Sequence, residues 1–171
     1  MRRLLEPVHD RAAGFARSVC RSRADGDDLY QEAMLRALAK LDGLRDDGAF
    51  RGWLYRVIIS VHRNRYRRSF WRRVLPLTED RAGSEPALDE TLGGAQRARA
   101  ALALLDHAQR EAIVLHDLEG WRVEEIAELE GTSVSAIKSR LSRGRERLRD
   151  IYARRFDVHA PHPAFAPPET P

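Results

Sequence analysis

The sequence predicts an all-α protein built as two small helical domains joined by a flexible acidic linker, and three features of the chain point there. Apolar residues recur at helical spacing through two long blocks, with charged residues on the opposite faces. Helix-breaking residues gather between the blocks, at Pro76, Thr78, Gly83, Ser84, Pro86, Gly93 and Gly94. The same stretch is acidic through Glu79, Asp80, Glu85, Asp89 and Glu90, the composition of a solvated tether. The predicted organisation is a first domain over 1–70, a linker over 71–95, a second domain over 96–156 and a tail over 157–171. Pro161, Pro163, Pro167 and Pro168 cannot continue a helix and predict disorder in that tail. No internal repeat is found.

Composition excludes several classes. Of 171 residues, 43% are apolar and 33% charged, and no apolar run nears the roughly 18 residues that read as a membrane span. The start, MRRLLEPVHDRAAGF, is interrupted by Glu6, Pro7, His9 and Asp10, so it lacks the apolar stretch of a signal peptide and a cytoplasmic location is expected. Cys20 is the sole cysteine, which excludes an internal disulfide or a multi-cysteine zinc site. Its expected role is that of a small buried apolar residue, with a redox-sensing thiol as the alternative. His9, His62, His107 and His116 have no metal-ligand spacing, and His159 and His162 fall in the tail. With no glycine-rich phosphate loop or nucleophile motif either, no metal, cofactor or catalytic residue is expected. The net charge of +4 is mild, so its placement matters more than its size.

In the first block, Leu4 to Arg21 reads as a helix interrupted near its start by Pro7. A break follows over Ala24 to Asp28, where Asp25 or Asp27 can cap the next helix and Asp28 and Glu32 favour the positive end of its dipole. That helix runs to about Leu41, with Leu29, Ala33, Ala37 and Leu41 on one stripe and Tyr30, Met34 and Leu38 beside it. Gln31, Glu32, Arg36 and Lys40 form its polar face, whose four-residue spacing also suits a solvated face with weak ion pairs. A loop over Asp42 to Ala49 leads to a helix that buries Phe50, Trp53, Leu54, Val57, Ile58 and Val61. Its other face is basic: Arg56, Ser60, Arg63 and Arg67 make a stripe, extended by Arg65, Arg68, Arg72 and Arg73 with Tyr66, Phe70 and Trp71 interleaved. No acidic residue lies between Arg51 and Glu79, so these arginines lack local partners and an external polyanion is expected to neutralise them. Aromatic rings among arginines suit single-stranded DNA, because bases stack on rings while guanidinium groups hold phosphates. A plain solvated basic helix is the alternative.

The second block opens with helices over about Gln96–Leu105 and Ala108–Leu118. Val123, Ile126, Ala127 and Leu129 then mark a short amphipathic helix, Gly131 a turn, Ser133 a cap, and Val134, Ile137, Leu141 and Leu148 the buried side of a second helix. This is the pattern of a helix-turn-helix. The second helix exposes Ser135, Lys138, Ser139, Ser142 and Arg143, with Arg140 between them, hydroxyls and cations suited to base edges and phosphates in a major groove. Gly144, one heptad after Ile137, is placed for a close helix contact. An ordinary helical hairpin with a basic face is the alternative.

Two stretches together resemble the extracytoplasmic-function group of sigma-70-type RNA polymerase sigma factors. DGDDLYQEAMLRALAKL followed by FRGWLYRVIISVHRNRYRR is similar to the group's region two, and REAIVLHDLEGWRVEEIAELEGTSVSAIKSRLSRGRERLR to its region four. The resemblance implies a region-two helical bundle and a region-four helix-turn-helix. It implies that Asp28, Gln31, Glu32 and Arg36 bind core RNA polymerase. The loop over 42–49 and Arg56, Ser60, Arg63, Asn64 and Arg67 would open and read the minus-ten element as a single strand. Ser135, Lys138, Ser139, Arg140, Ser142 and Arg143 would read the minus-thirty-five element as duplex. The acidic linker would thread toward the RNA path, its carboxylates mimicking a nucleic-acid backbone, with a solvated tether as the alternative. A cognate anti-sigma factor is implied as well. Val134 and Ala136 depart from the S-E-G-T-V run common in the group, which removes one threonine–phosphate contact. Two other readings remain: a stand-alone duplex-binding regulator, which leaves the basic first-block helix without a task, and a decoy for an anti-sigma factor, which has no need of the basic faces.

Overall fold

A computed structural model describes residues 2–44, 46–74 and 93–155, with side chains for 3–44, 46–69 and 93–155. The predicted acidic linker through Leu92, the tail from Phe156 on, and the side chains of Phe70, Trp71, Arg72 and Arg73 lie outside the described residues. The described residues form eight α-helices and no strand: α1 (Arg2–Leu5), α2 (His9–Val19), α3 (Arg23–Lys40), α4 (Phe50–Val74), α5 (Gly94–Ala103), α6 (His107–Ile113), α7 (Val123–Glu130) and α8 (Val134–Arg155). The chain divides into two compact units, Met1–Ala87 and Leu88–Pro171.

In the first unit α3 packs against both α2 and α4. Pro7 separates α1 from α2, as its ring requires. Phe15 from α2 and Tyr55 from α4 bring their rings to 5.0 Å between centroids, and both are fully buried with Val19, Leu29, Leu54 and Ile58. Burial on α4 departs from the predicted stripe: Tyr55, Ile59 and His62 are inside, while Trp53 and Val57 are only half-buried. The break expected over Ala24 to Asp28 is helical. Ser22, not Asp25 or Asp27, caps α3: its Oγ accepts from the Asp25 backbone N–H at 3.1 Å. Asp27 instead receives Arg17 Nε at 2.6 Å, tying α3 to α2. Gly26, a residue that weakens a helix in isolation, sits here because a Cβ on it would lie 2.4 Å from the Arg17 Cα. Close approach of two backbones outweighs local propensity at this point.

The second unit packs α8 against α6, α7 and α5. Ile137, Leu141, Gly144, Leu148 and Ile151 form the buried stripe of α8. Gly144 has the close contact that its spacing predicts, since a Cβ there would meet Ile113 Cδ1 at 2.6 Å. The helix expected over Ala108–Leu118 changes character at Val114, where α6 widens into a π-turn over Val114–Leu118 that is closed by Glu119 N–H donating to the Val114 carbonyl at 3.0 Å. A buried cation holds the start of this unit together. Arg110, 4% exposed, donates to the carbonyls of Leu102 at 2.7 Å, Ala103 at 3.0 Å and Leu105 at 2.9 Å, satisfying the C-terminal end of α5. No helix among the described residues is long and apolar enough to cross a membrane.

Candidate nucleic-acid and partner interfaces

The outer face of α3 is built by what its inner face must bury. Leu29, Ala33 and Ala37 are fully enclosed, which turns Asp28 and Gln31 to solvent and leaves Glu32 and Arg36 half-buried. Glu32 holds two cations at once: Arg36 donates to Oε1 and Arg65 donates to Oε2, each at 2.6 Å. Arg65 also donates to the Asp28 carbonyl at 2.9 Å. The arginines of α4 lack acidic partners nearby in sequence, yet Arg65 finds one 33 positions back, a pairing that only the crossing of α3 and α4 creates. The Glu32–Arg36 pair is the ion pair that four-residue spacing anticipates, but half-buried and not on a fully solvated face.

Leu38, expected beside the buried stripe, is instead 56% exposed, and Leu35 is 69% exposed. Gln31, Leu35 and Leu38 follow a spacing of four and three residues and so share one face. Leu35 and Leu38 thus place exposed apolar surface beside the polar groups of this face. The sequence carries the signal, since Leu35 lies off the 29-33-37 stripe.

The basic stripe of α4 keeps Arg56, Ser60 and Arg67 exposed, with Arg63 and Asn64 half-buried. Arg67 donates to the Asn64 side-chain oxygen at 2.6 Å, which fixes the amide against the helix. Arg51 lies over the Tyr55 ring at 5.7 Å. Before α4, the predicted loop over 42–49 contains short 3-10 turns over Leu41–Gly43 and Asp47–Ala49; Asp46 accepts from the Gly48 backbone N–H at 2.8 Å. Arg3 reaches Asp47 at 3.2 Å in an exposed surface ion pair.

In the second unit the helix-turn-helix is assembled from local rules. Arg122 N–H donates to the Glu125 side chain at 2.8 Å and starts α7. Gly131, at φ 63°, ends it in the left-handed conformation that glycine adopts without strain. Ser133 Oγ accepts from the Ala136 N–H at 3.1 Å and caps the turn into α8, as the sequence predicts. Ser135, Lys138, Ser139, Ser142 and Arg143 are all exposed on α8. Arg143 donates to the Ser139 carbonyl at 3.3 Å. Arg140 behaves differently: it is half-buried and ion-paired with the enclosed carboxylate of Glu130 on α7. Arg145, outside the predicted set, donates to Asp117 from Nε at 3.2 Å and from Nη2 at 2.5 Å, clamping α8 to the π-turn. No group of three or more His, Cys, Asp or Glu among the described residues is arranged to hold a metal ion.

Comparison with known proteins agrees with this architecture. The family model of Sigma-70 region 2 matches residues 4–72 and that of Sigma-70, region 4 matches residues 95–148. The chain is 34% identical over 140 residues to the ECF RNA polymerase sigma factor EcfG of Rhodopseudomonas palustris, covering 78% of this chain and 75% of that protein. It is 33% identical over 141 residues to the ECF RNA polymerase sigma factor SigM of Mycobacterium tuberculosis, covering 82% and 70%. Among solved structures, the sigma factor RpoE in complex with the anti-sigma factor NepR from Bartonella quintana superposes with a TM-score of 0.63 at 27% identity, covering 87% of this chain and 94% of that one. CnrH in complex with the cytosolic domain of CnrY gives a TM-score of 0.62 at 27% identity, covering 89% and 86%.

Proposed function

This chain belongs to the extracytoplasmic-function RNA polymerase sigma factors, initiation factors that direct core polymerase to specific promoters, and we propose which of its residues perform each step. Asp28, Gln31, Glu32 and Arg36, joined by exposed Leu35 and Leu38, form the surface that docks on core polymerase. Arg56, Ser60, Arg63, Asn64 and Arg67 on α4 hold the displaced minus-ten strand, cations on phosphates and the nearby Tyr66 ring against a base. Ser135, Lys138, Ser139, Ser142 and Arg143 enter the major groove of the minus-thirty-five duplex. The observation that carries this assignment is the two-sidedness of α8: one face is enclosed by α6 and α7, and the other presents five hydroxyl or cationic side chains to solvent.

No covalent step is assigned to the chain; its work is binding and strand capture in the cytoplasm. The domain limits we propose are 1–70 for the core-binding and minus-ten unit and 96–156 for the duplex-reading unit, with 71–95 as the tether and 157–171 as a tail. One solved relative, RpoE, was co-crystallised with the anti-sigma factor NepR, and we propose that a partner of that kind covers this chain when it is inactive. The deciding experiment adds the protein to sigma-free core polymerase on genomic DNA fragments and maps RNA start sites. Discrete starts that share upstream elements are expected. Core binding without starts would favour a decoy, and duplex binding without core binding would favour a stand-alone regulator.

A further inference from the structure

In sequence Arg140 lies among the cations and hydroxyls of α8, yet its environment differs from theirs. Lys138, Ser139, Ser142 and Arg143 are exposed, whereas the Arg140 side chain is 25% exposed and the Glu130 carboxylate that it meets has no exposure at all. The pair spans the turn of the helix-turn-helix, joining the last residue of α7 to the second turn of α8. The chain reversal that makes it possible is fixed independently, by Gly131 at φ 63° and by Thr132 N–H donating to the Ala127 carbonyl at 2.9 Å. Around the helix, two residues correspond to about 200°, so Arg140 and Lys138 point to opposite flanks of α8. A guanidinium that leaves for a phosphate here abandons a carboxylate out of reach of water, and breaking a buried pair from one side is strongly unfavourable.

We propose that Arg140 is a positioning residue, held by Glu130 so that it sets how α8 is presented to the duplex and is itself withheld from phosphate. This inference rests on α8 being the duplex-reading helix. Its effect is twofold: a freed arginine adds a phosphate contact that every sequence offers equally, which tightens binding to any duplex, and loss of its hold on α8 misplaces the base-reading side chains, which lowers affinity for the right site alone.

The test uses the full chain and fluorescence anisotropy over a range of salt, on the minus-thirty-five duplex defined by start-site mapping and on a scrambled duplex of equal length. Glu130→Gln keeps the shape and removes the charge. It is expected to bind the scrambled duplex more tightly, to lower the specificity ratio by about tenfold, the size of one lost base contact, and to steepen the salt slope by about one phosphate. A second variant, Glu130→Leu with Arg140→Met, replaces the pair by apolar side chains of similar reach. It should return the scrambled-duplex slope to that of the unmodified chain, because the added contact came from Arg140. A double variant whose slope is shallower by about one would show that Arg140 already touches phosphate and would overturn the proposal. An unchanged ratio and slope in Glu130→Gln would overturn it too. Lys138→Ala separates the two levels: if it leaves duplex binding intact, α8 is not the reader and the underlying assignment falls; if it weakens binding while Glu130→Gln changes nothing, only the positioning role falls.

Discussion

Single residues show where buried polar groups are satisfied and where they are not. The Tyr30 hydroxyl is enclosed with no hydrogen-bond partner among the described residues, while its ring meets His9 edge-on at 5.3 Å. Burial first, and then the Asp10 charge, push its ionisation above the ordinary value, against a smaller opposing effect of Arg17. The neutral phenol is therefore the form that the fold favours. Its contribution is complete below a pH of about 10 and is lost as pH rises through the elevated folded value. Tyr30→Phe should leave stability at neutral pH unchanged or raise it by up to about 1 kcal/mol, and should flatten the alkaline loss seen in thermal melts above pH ~10. Arg110 is the opposite case, a buried cation that donates to three carbonyls at and just past the end of α5. Arg110→Ala should cost roughly 2–5 kcal/mol in chemical denaturation, because those carbonyls stay buried without their donor. Lysine should recover only part, since one ammonium cannot reproduce the guanidinium's planar set of donors.

Between elements, two glycines set the closest approaches and make a graded prediction. A Cβ at Gly26 meets backbone, the Arg17 Cα at 2.4 Å, which cannot move without shifting α2. A Cβ at Gly144 meets the tip of Ile113 at 2.6 Å and Gln109 Cβ at 3.3 Å, side-chain atoms that can yield. Gly26→Ala should therefore cost at least the upper end of about 1–3 kcal/mol. For Gly144→Ala the net loss should be smaller, since the side-chain atoms it meets can yield, while the roughly 1 kcal/mol of helix propensity that alanine returns is common to both sites. Adding Ile113→Val, which deletes the clashing methyl, should restore most of the second loss in urea unfolding and none of the first. The Glu32–Arg65 pair belongs to this scale as well. It makes one carboxylate answerable both to the face of α3 and to the basic helix α4.

For the whole molecule, function depends on a division of charge. A net +4 on 171 residues is modest, but it is concentrated where α4 and α8 carry exposed arginine and lysine, while the five acidic residues from Glu79 to Glu90 fall in sequence between α4 and α5. Binding through such faces weakens steeply with salt as displaced counterions are recovered. The two faces should also be separable in function. Replacing Arg63 and Asn64 by alanine should reduce permanganate-detected strand opening on an intact promoter several-fold while core binding stays unchanged. A template already unpaired across the minus-ten region should restore most of the transcript. Failure of the unpaired template to rescue would place the defect before opening.

Much of this was legible without coordinates. Period-3.6 apolar stripes determined the all-α class and the helices that bear the sites, because burying one face of a helix is enough to fix which residues look outward. Local chemistry determined the caps and turns, as at Ser133 and Gly131. The exposed set on α8 follows from the same periodicity. What only tertiary structure decided were the events whose partners lie far apart in the chain. Position 26 must be glycine because α2 approaches it, Arg65 is neutralised by Glu32, Arg110 closes the end of α5, and Arg140 is held by Glu130. Periodicity reports a residue's direction around its own helix, but a long arginine can reach several ångströms to either side of that direction. Which anion it finds is settled by the crossing of helices, and that is information no local window contains.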